Sequence, residues 1–115
     1  MDKTVEEVEK SKAHIIVEII EYMPNAIVSK TVIKKSTGNI TVMAFDSGAE
    51  LAERTSPFDI FGQIIDGSAE ITIKKKVHLL QLGAGIIIPA HSPHSIKANQ
   101  RFKIILTIIK SGYED

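Results

Sequence analysis

The chain has 115 residues, with 14 Lys and Arg set against 14 Asp and Glu, so its formal net charge is zero. That balance gives no electrostatic footprint for nucleic acid or an anionic membrane surface, and the absence of cysteine excludes disulfides and thiolate chemistry. The length suits one domain, 1–115, with a core that needs no staples. No apolar run is long enough to span a bilayer and the start MDKTVEEVEK is too polar for a signal peptide, so a cytoplasmic location is expected.

From the N-terminus, Thr4-x-x-Glu7 reads as a capping box opening a short acidic turn, with Val5 and Val8 as its apolar residues. HIIVEIIEYM, residues 14–23, satisfies helical spacing while its β-branching favours strand. It is expected to be a short element, helical or extended, packed against the rest and stopped by Pro24-Asn25. From Ala26 onward the hydrophobic period changes to two.

AIVSKTVIK ends in the turn Ser36-Thr37-Gly38-Asn39, NITVMAF ends at Asp46-Ser47-Gly48, and FDIFGQIID closes at Asp66-Gly67. SAEITIKKK places Ala69, Ile71 and Ile73 on one face and Glu70, Thr72 and Lys74 on the other, a strand with one wet face. VHLLQL, GIIIPA, HSIKA and RFKIILTIIK follow at short intervals. Eight or more short strands, Gly/Pro/Asn turns and no long helix define an all-β sandwich or barrel. The lysine pair at 34–35 and the triplet at 74–76 fall at hairpin ends and read as solvated turns.

Two runs carry a family pattern. In the first, Gly48, five residues, Arg54-Thr55-Ser56, three residues, Ile60, six residues and Gly67 follow without a gap. In the second, Gly83, five residues, Pro89-Ala90-His91, two residues and His94 follow, with Ala98 at the last position. These spacings resemble the paired signature of the cupins, and especially small type 2 barrels, over residues 26–110. The resemblance implies a double-stranded β-helix jelly-roll barrel with a short N-terminal element, assembled as a homodimer. The apolar strand RFKIILTIIK, richer in Ile and Leu than one buried face requires, agrees with the dimer.

In metal-binding cupins the first motif supplies two His and a Glu and the second a further His. The matching positions here hold Arg54, Ser56, Ile60 and His94, of which His94 alone is an ordinary ligand, because guanidinium has no lone pair and Ile is inert. The expectation is therefore no metal and no cofactor. The alternative is a divalent transition metal on a non-standard set, His94 with His91, Gln63 or water, in an enzyme of dioxygenase or isomerase type.

The preferred reading is a barrel binding a small organic ligand, an anion where Arg54 is its receptor, with neither nucleic acid nor membrane as a partner. Arg54 would fork a carboxylate or phosphate, with Ser56 and His94 completing a polar floor. Its competitor has Arg54 leaning into solvent or bridging to Glu53 or Asp59. His94 should face the interior and is suited to acid or base work. His91, at the family's turn glycine, either converges with His94 or sits on the rim. Gly62, on the inward parity, marks room for a ligand or a corner kink. Gln63, on the opposite parity, is a ligand-contacting group or an interface residue. His78 is expected outward or at an interface. A dimer with a vestigial pocket is the third possibility.

Overall fold

The computed structural model describes residues 7–113, so the expected capping box lies, Glu7 apart, outside the described residues. Nine strands follow a single turn of 3-10 helix, Ile16–Glu18: β1 Ile27–Lys35, β2 Gly38–Phe45, β3 Glu50–Arg54, β4 Asp59–Gly67, β5 Ala69–Ile73, β6 Lys76–Leu80, β7 Gly85–Ile88, β8 His94–Lys97 and β9 Phe102–Ile109. They form a five-stranded sheet, β1-β2-β9-β4-β7, and a four-stranded sheet, β3-β8-β5-β6, with antiparallel pairing throughout. Strand β3 was not among the sequence expectations. Its residues are almost all exposed and its apolar content is low, so periodicity carries no signal there.

The inner faces meet in one core in which the Phe45 and Phe102 rings stack 4.5 Å apart, both fully buried. Ile60, Ile64 and Ile104 from the larger sheet pack against Ile71, Ile73 and Ile96 from the smaller. The alternation read in SAEITI is realised, with Ala69, Ile71 and Ile73 inward. The register also corrects one expectation: His78 pairs with the inward-facing Ile71, so it lies half-buried on the core side of β6, while Val77 and Leu79 point outward.

Residues 16–22 do pack on the barrel, across the outer face of the five-stranded sheet. Ile16, Ile19, Ile20 and Tyr22 cover Val42, Ala44, Ile65 and Ile105. Polar clasps fix this segment. The Tyr22 hydroxyl donates to Asp66 at 2.6 Å, and the buried Lys103 ammonium donates to the Val17 carbonyl at 2.6 Å. Arg101 lies over the Tyr22 ring at 4.5 Å and pairs with Asp46 at 3.2 Å.

Three bulges interrupt the alternation. They fall at Thr31/Ile33 in β1, Leu51/Arg54 in β3 and Ile64/Asp66 in β4. An extra residue in one strand turns every following side chain to the opposite face. Thus Ile33, which strict alternation groups with Ile27, pairs instead with Ile40 on the outer face.

Candidate functional site

Between the sheets lies a cavity of about 260 Å³. Its walls are Met43, Leu51, Ile60, Ile88, Ile96, Leu106 and Ile108, and its polar groups are Arg54, Ser56 and His94. An apolar cavity of ~150 Å³ takes up benzene, so this one has room for an apolar body of that size and a polar head.

The bulge in β3 places Arg54. Leu51 and Arg54 are three residues apart and would face opposite ways in a regular strand. Ile96 opposes Leu51 and His94 opposes Arg54, so Ala52 and Glu53 together face one residue, Ser95. That extra residue returns Arg54 to the face of Leu51, and both line the cavity. The guanidinium reaches solvent at the mouth, and the partner the structure gives it is the Ala52 carbonyl, 3.4 Å from Nε. Among the described residues no carboxylate lies within ion-pair distance of it: Asp59 instead accepts the Ala90 N–H at 2.8 Å.

His94 is 4 % exposed and sits between Arg54 on β3 and Ile73 on β5. Its Nδ1 lies 3.0 Å from the Ser92 carbonyl. A carbonyl only accepts, so in the neutral ring the proton resides on Nδ1 and Nε2 keeps its lone pair. The Ser56 hydroxyl donates to the Phe58 carbonyl and accepts the Phe58 N–H, both at 3.1 Å, a local turn that occupies its donor. No serine–histidine relay is built here.

The other singled-out residues stand away from the cavity wall. Gly62 is buried, but the Ile104 and Leu106 side chains occupy the room above it, each 3.2 Å from where a Cβ would stand. Its missing side chain therefore admits β9 side chains rather than widening the cavity. Gln63 is on the outer face, its amide 3.3 Å from the Gly83 carbonyl. His91 is an exposed rim residue with φ +67°, a left-handed conformation that suits the family's glycine at this place. Its N–H donates to the Ser56 carbonyl at 2.6 Å, tying the 89–93 loop to the turn after β3.

The donor set does not fit the metal of the family. At the four matching positions stand one imidazole, one hydroxyl committed to a turn, a guanidinium and an isoleucine. Among the described residues no three His, Asp or Glu side chains converge. The apolar walls Met43, Leu51, Ile88, Ile96, Leu106 and Ile108 were not singled out from sequence; their inward parity was the available signal.

Comparison with solved structures agrees with the fold. The chain is 28% identical to a conserved protein of unknown function from Streptococcus pyogenes, covering 94% of this chain and 95% of that one, with a TM-score of 0.87. It is 28% identical to a cupin 2 conserved barrel domain protein from Leptotrichia buccalis, over 82% of this chain and 46% of that one, with a TM-score of 0.79. It is 21% identical to a cupin superfamily protein from Desulfitobacterium hafniense, over 94% and 99% of the two chains, with a TM-score of 0.85. No family model matches the chain, and no curated protein does. The protein is a small cupin-fold jelly roll.

Proposed function

We propose that the barrel binds a small, singly charged organic acid without a metal, Arg54 standing where a metal ligand would. One observation supports this above the rest: the bulge in β3 turns an arginine with no acidic partner among the described residues toward a cavity whose walls are mainly apolar. A guanidinium at a partly desolvated mouth forks a carboxylate with two hydrogen bonds. The aliphatic walls take the body of the ligand, and the lone pair on His94 Nε2 accepts a hydroxyl or amide proton from it. The reading is of a binding protein. Among the described residues the cavity offers one imidazole beside a cation and no second positioned acid or base, which favours binding over turnover.

The test is calorimetric titration of untagged protein with benzoate and 3-methylbutanoate, with benzamide as the neutral control. Binding of an acid but not of benzamide, weakened at least about tenfold in Arg54→Gln, is expected from the loss of a charged hydrogen bond. Equal binding of benzoate and benzamide would sink the proposal. So would stoichiometric metal in protein purified without chelators that disappears in His94→Ala.

A further inference from the structure

The polar groups of the cavity divide by kind: hydrogen-bond donors stand at its mouth and acceptors inside. His94, 4 % exposed, engages the Ser92 carbonyl through Nδ1, and the structure gives Nε2 no partner among the described residues. Among those residues no side-chain nitrogen or oxygen is sealed from solvent without a partner. Nε2 therefore opens onto the cavity that His94 lines. The Ser56 hydrogen is given to the Phe58 carbonyl, which leaves that hydroxyl oxygen as an acceptor only. The Arg54 guanidinium supplies the donors, and the other walls are Met, Leu and Ile side chains.

That division discriminates among acids that share one apolar body. A hydroxyl inside the cavity donates to His94 Nε2 and satisfies it. A keto oxygen at the same place meets another lone pair and loses the hydrogen bonds it made in water, and an amide brings such an oxygen along with its N–H. An acid with neither group displaces water from Nε2 and leaves it unpaired. An ammonium donates as a hydroxyl does, but it sets a second positive charge beside the guanidinium. The ladder fixes where the hydroxyl belongs. Arg54 and His94 are direct partners across β3 and β8, and both line the cavity. Such positions hold their Cβ atoms about 5 Å apart, so the groups they receive sit close together on the ligand, on adjoining carbons.

We infer that the ligand is a 2-hydroxy acid with a short branched tail, and that His94 Nε2 selects it over the keto, amino and unsubstituted acids of the same skeleton. This rests on the reading of the barrel as a metal-free acid site and adds to it the group beside the carboxylate. A site built to bond a hydroxyl rejects the analogue that lacks one, because its own buried polar atom is then left unpaired. The carboxylate goes to Arg54, the hydroxyl to His94 and the tail to the aliphatic walls. Three different substituents of one carbon are each held, so the two mirror-image forms bind unequally.

Calorimetric titration with acids of one carbon skeleton tests this. The set is 3-methylbutanoate, each enantiomer of 2-hydroxy-3-methylbutanoate, 2-oxo-3-methylbutanoate, valine and the isomer 3-hydroxy-3-methylbutanoate. The better 2-hydroxy enantiomer is expected to bind at least about fivefold tighter than 3-methylbutanoate, the worth of one hydrogen bond. The oxo acid and valine should bind no tighter than 3-methylbutanoate. His94→Asn keeps a donor near the place of Nδ1 and carries no atom at that of Nε2. In this variant, its folding checked by a thermal melt, the ratio of 2-hydroxy to unsubstituted affinity should fall to near one. If every acid binds alike and Arg54→Gln weakens them alike, the acid-binding reading stands and the hydroxy-acid inference falls. A 2-oxo or 3-hydroxy acid that outbinds the 2-hydroxy acid overturns it, as does a hydroxyl preference that survives in His94→Asn. If no acid binds, the reading beneath falls with it.

Discussion

The two sheets share one core but treat their second faces differently. Behind the four-stranded sheet runs the row Glu50, Lys97, Glu70 and Leu79, mostly charged and in water. Behind the five-stranded sheet lie Val42, Ala44 and Ile105 under the protein's own Tyr22 segment, and beside them the exposed Phe61 and Ile87. A strand with one wet face alternates, and a strand buried on both faces does not. The contrast between AEITI and FKIILTII is therefore a statement about what lies beyond each sheet.

The widest gap between the two outer faces should appear on truncation. Val42→Ala removes two fully buried methyl groups from the covered face, and a loss of about 2–3 kcal/mol is expected in urea unfolding. Thr72→Ala, at the equivalent depth on the wet face, should stay within ~0.5 kcal/mol. Equal losses would mean that the Tyr22 segment does not cover the sheet.

A smaller effect, about 1–2 kcal/mol, is expected for Tyr22→Phe, which removes the hydrogen bond to the Asp66 carboxylate. This change also has a pH signature. Burial first, and Asp66 second, push the Tyr22 phenol above its ordinary value of 10.0. A phenol that resists ionisation in the folded state stabilises fully below pH 10 and loses that contribution as the pH rises past it. Thermal melts across that range should therefore fall more steeply for the unmodified chain than for Tyr22→Phe; parallel curves would mean that the Tyr22 phenol ionises alike in the folded and unfolded chain. The smallest effect is expected at Leu79, 75 % exposed on the edge strand β6. Leu79→Thr should change stability by less than ~0.5 kcal/mol.

The turns and the inward residues of β5 were legible because Gly, Asn and Asp mark corners and alternation marks a wet strand. The four motif positions were legible through spacing, and Arg54, Ser56, Ile60 and His94 do line one cavity. What sequence could not supply was the set of bulges. Nothing in ELAER announces that Ala52 and Glu53 share one partner, yet that irregularity aims Arg54. Gly62 shows the complementary difficulty, since a missing side chain is the same symbol whether ligand or Ile104 fills the room. Gly38 was readable as a turn residue, but not as the place where β9 comes so close that a Cβ would stand 2.5 Å from the Ile108 carbonyl oxygen.

The place of β9 has a consequence for how the chain is made. It is the latest of the nine strands to leave the ribosome, yet it sits at the centre of its sheet, hydrogen-bonded to β2 on one side and β4 on the other. Until Phe102–Ile109 emerges, those two earlier strands each present an open edge flanked by isoleucine and valine. Such edges recruit strands from neighbouring chains. A nascent chain stalled before residue 102 is thus the species in which aggregation competes with folding, and closure of the larger sheet waits on a single late insertion.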